Sequence, residues 1–209
     1  KEPEFNMQAF LQVHEQEQKI SSIRVNPAKL KDPKASFPQA ESIPWCDRGY
    51  FLEKRPVYTL DPLYHAGAYY SQEASSMFLA YAIQQLKLDE KAVIALDMCA
   101  APGGKSTLLQ SYLSDEALLV SNEIIKSRAN ILAENMMKWG GANAVVTNND
   151  PVSFGRLPGF FDLMVVDAPC SGSGMFRKDH DAIDEWSEAN VKLCAERQKR
   201  ILADSIESL

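Results

Sequence analysis

The sequence predicts an α/β fold in which a small mixed lobe precedes a larger domain built on a parallel sheet. Short runs rich in Val, Ile and Leu alternate with helical stretches after about residue 90, whereas prolines at 27, 33, 38, 44 and 56 cut the N-terminal part into short pieces. Apolar residues make up 45% and charged residues 24% of the 209-residue chain, so a packed core is feasible and disorder is excluded. Strands separated by helices pair in parallel through right-handed crossovers, which is a Rossmann-like arrangement.

Phe5, Ala9, Phe10 and Val13 recur at helical spacing, and Phe5 to Ile20 reads as a surface helix. Ile23 to Val25 and Tyr50 to Leu52 read as strand pieces of the lobe, because a long helix cannot persist among prolines. Ser71 is a candidate N-cap for a helix running through Leu86, which puts the boundary between lobes near residue 71, with domains over 1–70 and 71–209. Strand Ala92 to Met98, helix Lys105 to Leu113, strand Ala117 to Asn122, helix Lys126 to Trp139, strand Ala144 to Thr147 and strand Asp162 to Asp167 follow in turn. Gly140 and Gly141 end the second of these helices, and a last helix spans Ala189 to Ser208.

The longest near-apolar stretches, Ala92 to Met98 and Leu163 to Val166, fall far short of the roughly 20 residues of a membrane span. No signal peptide stands at the N-terminus, and cysteines 46, 99, 170 and 194 form no C-x-x-C pair. A soluble, cytoplasmic chain without a metal site is expected, with Cys46 and Cys194 as small packing residues. A net charge of −6 argues against bulk-charge binding of nucleic acid, so any RNA contact must be local. The chain starts at Lys1 and stops in a helical run at Leu209, and it reads as a fragment of a longer protein.

The first strand ends in Asp97-Met98-Cys99-Ala100-Ala101-Pro102-Gly103-Gly104-Lys105-Ser106, a turn of small residues entering a helix. Backbone N–H groups at such a helix N-terminus attract an anion. Glu123, at the end of the next strand, stands about where a Rossmann fold takes ribose hydroxyls. Together they indicate an adenosine-bearing ligand; the plainer alternative is that Gly103-Gly104 only turns the chain and Glu123 is solvated. Gly104-Lys105-Ser106 also matches the end of a phosphate-binding P-loop, but Cys99 stands where that motif needs its first glycine, so a nucleotide triphosphatase is the weaker alternative. The second block, Val165-Val166-Asp167-Ala168-Pro169-Cys170-Ser171-Gly172-Ser173-Gly174, delivers an acid and a thiol to the carboxyl edge of the sheet, where ligands bind.

Cys99-Ala100-Ala101-Pro102-Gly103-Gly104-Lys105 and Asp167-Ala168-Pro169-Cys170-Ser171-Gly172 resemble the cofactor and substrate loops of the Nol-Nop-Sun RNA cytosine-carbon-5 methyltransferases. Ile23-Arg24-Val25-Asn26-Pro27, the stretch Gly67 to Ser76, and Gly174-Met175-Phe176-Arg177-Lys178-Asp179 are most similar to the bacterial RsmF-like branch acting on ribosomal RNA. The resemblance implies an S-adenosyl-L-methionine-dependent methyltransferase domain, incomplete at its C-terminal end, whose partner is RNA of the small ribosomal subunit and which works as a monomer. It also implies that residues 99 to 105 wrap the methionine part of the cofactor, that Glu123 holds the ribose with Arg128 following it, and that Asp150 lies beside the adenine. Asp167 and Lys105 would lie near both the methionine moiety and the target base.

Carbon 5 of cytosine is a poor nucleophile, so a thiolate must first add to carbon 6. In the family that thiolate comes from a Thr-Cys pair and the counterpart of Cys170 assists product release. The chain holds no Thr-Cys pair, so the nucleophile is expected beyond Leu209 and the 209 residues alone are expected to be inactive. Arg128 as a surface ion-pair partner, Asp150 as a turn cap, Cys170 as the attacking thiol and a non-catalytic cofactor-binding RNA scaffold stand as alternatives. For RNA, Arg177 and Lys178 are phosphate candidates, and Arg24, Tyr69 and Tyr70 are candidates to line its path.

Overall fold

The computed structural model describes residues 5–15, 20–88, 91–176, 179 and 181–209. Residues 21–168 with 201–209 form one compact unit, and residues 1–20 with 169–200 another. The second unit contributes helix α1 (Met7–Glu15), and Ser173–Met175 and Asp181–Asp184 in it form short helical turns.

The larger unit opens with strand β1 (Ser21–Val25), the short helix α2 (Pro33–Ser36), strands β2 (Glu41–Ile43) and β3 (Cys46–Leu52), the short helix α3 (Pro62–His65) and strand β4 (Tyr69–Ser71). Both short helices start with Pro after an aspartate, Asp32 or Asp61, whose side chain accepts backbone N–H groups of the first turn. The strands form an antiparallel sheet in the order β2-β3-β1-β4. Ser71 pairs with Ile23 and closes β4 instead of capping a helix; its hydroxyl donates to the Tyr58 hydroxyl. The following helix, α4 (Phe78–Leu86), starts later than the sequence suggests and has no side-chain cap. The reason is tertiary: backbone pairing with β1 takes the residues that would otherwise make the first helical turn.

Strand β5 (Ile94–Asp97), helix α5 (Gly104–Tyr112), strand β6 (Leu118–Asn122), helix α6 (Lys126–Trp139), strand β7 (Ala144–Thr147), strand β8 (Leu163–Val165), the short helix α7 (Asp181–Asp184) and helix α8 (Glu188–Ser205) complete the chain. The expected strands and helices of this half are all present, with no end moved by more than three residues. Strands β5 to β8 make an all-parallel sheet in the order β7-β6-β5-β8. Its strand order reverses between β5 and β8, and in open α/β sheets the ligand crevice lies at the carboxyl ends of the strands at that point.

Alternation along the strands feeds two cores. Ala95, Leu119, Leu163 and Val165 join a cluster with Leu108, Leu109, Leu132 and Met136 from α5 and α6, while Leu96, Val120 and Met164 pack with Phe154, Phe161 and Ile201 on the other face. The first cluster also takes in Ile43, Cys46, Met77, Ala80 and Ile83, so one apolar core runs from the antiparallel sheet into the parallel one. Burial on both faces explains why these strands read as near-continuous apolar runs. Among the described residues no helix is long and apolar enough to cross a membrane.

Candidate active site

The chain leaves β5 at Asp97 and reaches α5 at Gly104 through a loop held from several sides. Met98 N–H donates to the Val165 carbonyl at 2.9 Å and Ala100 N–H to the Asn122 carbonyl at 2.8 Å, so both neighbouring strands fix its start. The carbonyls of Ala101 and Pro102 accept from Arg128 at 2.8 Å and Asn135 at 2.7 Å, both on α6. Gly103 has φ +112°, a left-handed conformation open to glycine, which lets the backbone swing directly into the helix. The first-turn N–H groups of α5 have no partner within the helix and carry the positive end of its dipole, so the loop mouth favours an anionic group.

Lys105 adds a cation there. Its Nζ lies 2.5 Å from Oδ2 of Asp167, which follows β8 across the switch point, and both side chains are partly open to solvent. An open cleft of about 230 Å³ lies at this point, lined by Cys99, Lys105 and Asp167 and by a second group, Tyr70, Gln72 and Ser76. Gly104 faces the second group closely: a Cβ there would lie 3.4 Å from the Tyr70 ring and 3.5 Å from the Gln72 amide nitrogen. Burial pushes the Tyr70 hydroxyl up to about 12, so it stays a donor at neutral pH.

Glu123 is 3% exposed, which overturns the solvated alternative. One carboxylate oxygen accepts the Ile125 N–H at 3.0 Å and the other lies 3.4 Å from Arg128 Nη1. Arg128 therefore bridges Glu123 and the Ala101 carbonyl. Asp150 is exposed at the end of β7, where it caps a 3-10 turn by accepting the Val152 N–H at 3.1 Å. The structure thus gathers Cys99, Ala100, Ala101, Pro102, Gly103, Gly104, Lys105, Glu123, Arg128 and Asp167 along one sheet edge, with Asp150 on the outer strand of that edge. Cys170 is exposed and belongs to the unit of residues 169–200.

Sequence reasoning missed Asp97, Asn122 and Gln72. Asp97 is wholly buried; its Oδ2 accepts from Ser106 at 2.7 Å while its Oδ1 has no partner. Desolvation drives its carboxyl up to about 6, against the lowering effect of the Ser106 bond and Lys105. The signal was a lone acid closing an apolar strand. Asn122 ties three strand ends together, donating to the Met98 and Asn149 carbonyls and accepting from Thr147. Burial, with Glu123, Asp97 and Asp167 nearby, pushes the Cys99 thiol up to about 11, so it is a neutral lining group and a poor nucleophile.

Two candidates for the RNA path lie elsewhere. Arg24 is fully buried and Tyr69 is 2% exposed, its hydroxyl on Asp61 at 2.6 Å. A charge and an aromatic in a short strand do not reveal in sequence which face is covered, and burial removes both from an RNA path. Arg177 and Lys178 lie outside the described residues.

A family model described as 16S rRNA methyltransferase RsmB/F matches residues 83–209, and one described as the N-terminal domain of 16S rRNA methyltransferase RsmF matches residues 2–74. The ribosomal RNA small subunit methyltransferase F of Shewanella piezotolerans is 36% identical over 197 residues, covering 90% of this chain and 42% of the relative. That of Vibrio cholerae is 36% identical over 200 residues, covering 90% and 41%. The chain therefore spans well under half the length of these relatives. Among solved structures, a methyltransferase homologue from Pyrococcus horikoshii is 29% identical with a TM-score of 0.74, covering 95% of this chain and 63% of that one. NSun6 from the same organism shares the fold at 15% identity, with a TM-score of 0.77 over 98% of this chain and 77% of that one. With the two loops meeting at one switch point and family models matching both halves, the chain belongs to the 16S rRNA methyltransferase RsmB/F family.

Proposed function

We propose that this chain is the cofactor-binding part of an S-adenosylmethionine-dependent methyltransferase that makes 5-methylcytosine in ribosomal RNA of the small subunit. The observation that carries the reading is the Lys105–Asp167 contact, which joins the two motif blocks at the rim of the cleft beside the helix N-terminus. The donor set suits the cofactor. First-turn amides of α5 and the Lys105 ammonium match a carboxylate, and the buried Glu123, steadied by Arg128, matches a pair of ribose hydroxyls. Gly104 leaves room that a side chain would fill against Tyr70, and Asp150 stands at the sheet edge for the adenine. When bound, S-adenosylmethionine supplies a methyl group made electrophilic by its sulfonium.

Lys105 and Asp167 offer a donor and an acceptor that complement the O2 or N3 and the N4–H of a cytosine edge, and so orient the base once it is extruded from its stack. Addition of a thiolate to carbon 6 moves the ring electrons to carbon 5, and after carbon 5 is methylated its proton goes to a base while the carbon–sulfur bond breaks to return the thiolate. The attacking thiolate belongs to a Thr-Cys pair outside these 209 residues, and Cys170 assists release. Support for the ribosomal substrate comes from the relatives, each named a ribosomal RNA small subunit methyltransferase.

Calorimetric titration of this chain should show S-adenosylmethionine binding, and tritiated methyl transfer to small-subunit RNA should require the longer protein. Tight magnesium-dependent ATP binding with no response to S-adenosylmethionine would overturn the reading in favour of a nucleotide triphosphatase. In the longer protein, Cys170→Ala should accumulate a covalent RNA adduct; loss of every adduct would make Cys170 the nucleophile instead.

A further inference from the structure

Arg24 comes from β1 and Gln72 follows β4 directly, yet both end on α5, the helix into which the cofactor loop leads. Arg24 is fully buried and makes five hydrogen bonds: Nε to Gln72 Oε1 at 2.8 Å, Nη1 to the Thr107 carbonyl at 3.2 Å and Ser111 Oγ at 3.3 Å, and Nη2 to Thr107 Oγ1 at 2.6 Å and the Gly104 carbonyl at 3.2 Å. Its guanidinium sits 4.5 Å from the centre of the Trp139 ring. Gln72 Nε2 donates to the same Gly104 carbonyl at 3.2 Å. The Gln72 backbone is itself fixed to β1, its carbonyl accepting from Ser22 Oγ at 2.6 Å and its N–H donating to the Ser22 carbonyl at 3.3 Å.

Two side-chain donors, Arg24 Nη2 and Gln72 Nε2, thus converge on one carbonyl, while the single Thr107 hydroxyl proton goes to the neighbouring Gly103 carbonyl at 2.7 Å. A first-turn helix carbonyl ordinarily needs only its intrahelical partner. The extra donors act at the point where two successive glycines leave the backbone most free to move. We infer that Gln72, oriented by Arg24, is a positioning residue that holds the Gly103–Gly104 turn in its ligand-ready form. The inference rests on the proposed cofactor site. Holding the first-turn amides in place before the ligand arrives raises affinity by cutting the ordering that binding would otherwise require.

Two substitutions separate this role from simple support of the fold. Gln72→Glu keeps an acceptor for Arg24, now charged, but turns a second oxygen toward the Gly104 carbonyl. Gln72→Met removes the donor without adding charge. Both variants of this chain should bind S-adenosylmethionine about tenfold more weakly or worse, and Gln72→Glu should keep a melting temperature within roughly 3 °C of the unsubstituted chain. Hydrogen exchange without cofactor should quicken at the amides of residues 103–107 in both. Wild-type affinity in Gln72→Met, or unchanged exchange at those amides in either variant, overturns the positioning role. Failure of the unsubstituted chain to bind the cofactor would instead sink the cofactor reading, while the exchange measurement still decides whether the turn is held.

Discussion

Lys105 Nζ and Asp167 Oδ2 lie 2.5 Å apart although 62 residues separate them in sequence. Their contact bridges the switch point between β5 and β8 and sets a cation and an acid side by side on the cleft rim. Because both side chains are partly exposed, the pair should add less than about 1 kcal/mol to stability. Lys105→Ala and Asp167→Ala in the longer protein should therefore melt nearly normally yet lose about 100-fold or more in methyl transfer. Tritium incorporation into small-subunit RNA checks this, and near-normal rates would remove the pair from the reaction.

Arg128 reaches both the Ala101 carbonyl and the Glu123 carboxylate. Arg128→Ala leaves an almost fully buried acid without its cation, and the expected destabilisation is about 1–3 kcal/mol. Urea unfolding reads the stability, and titration with adenosine should show weaker binding because Glu123 is no longer held.

The Asp97 carboxyl is raised from 3.8 to about 6 by burial. Between those values the folded chain binds more protons than the unfolded chain, so the Asp97 contribution is most favourable below about pH 4 and declines until about pH 6. The difference amounts to about 3 kcal/mol. Asp97→Asn should remove that decline and be more stable than the unsubstituted chain at about pH 7.5, since a neutral amide carries no buried charge. Urea midpoints of the two proteins at about pH 4.5 and 7.5 should diverge with rising pH; parallel midpoints would contradict an acid this deeply buried.

Cysteine reactivity should follow exposure and charge. Cys170 is exposed, Cys46 and Cys194 are buried, and Cys99 has a thiol pushed up to about 11. Brief alkylation at neutral pH, mapped by peptide mass, should label Cys170 first and Cys99 poorly. Preferential labelling of Cys99 would show a more open, less acidic loop.

Gly67, just before β4, packs its backbone against the C-terminal end of α6. A Cβ there would lie 1.9 Å from the Lys138 carbonyl oxygen, and its φ of +65° strains any other residue. Lys29 closes the same junction, donating to the Ala66 and Lys138 carbonyls. Gly67→Ala should cost about 3 kcal/mol or more, read as a lowered denaturation midpoint.

Local chemistry made half of this molecule legible in advance. The parallel-sheet half was readable because its strands are buried on both faces and its helices have one apolar stripe, so composition and period point the same way. The antiparallel lobe was harder. Glu41–Ile43 and Tyr69–Ser71 are three-residue strands defined by pairing with β3 and β1, and a run that short carries no period. Among site residues, the glycines and Lys105 of the loop announce themselves by spacing, whereas Gln72 and Arg24 sit in unrelated segments and gain meaning only from what they touch.

The order of residues thus determined the strand–loop–helix unit, the acid that follows it and the family to which the chain belongs, since each depends on neighbours close in sequence. Which charges are buried and which carbonyl the antiparallel sheet grips were decided by tertiary structure alone. Arg24 makes the point: in sequence it is one more surface cation, and only the meeting of β1, α5 and Trp139 supplies enough partners to take a guanidinium out of water.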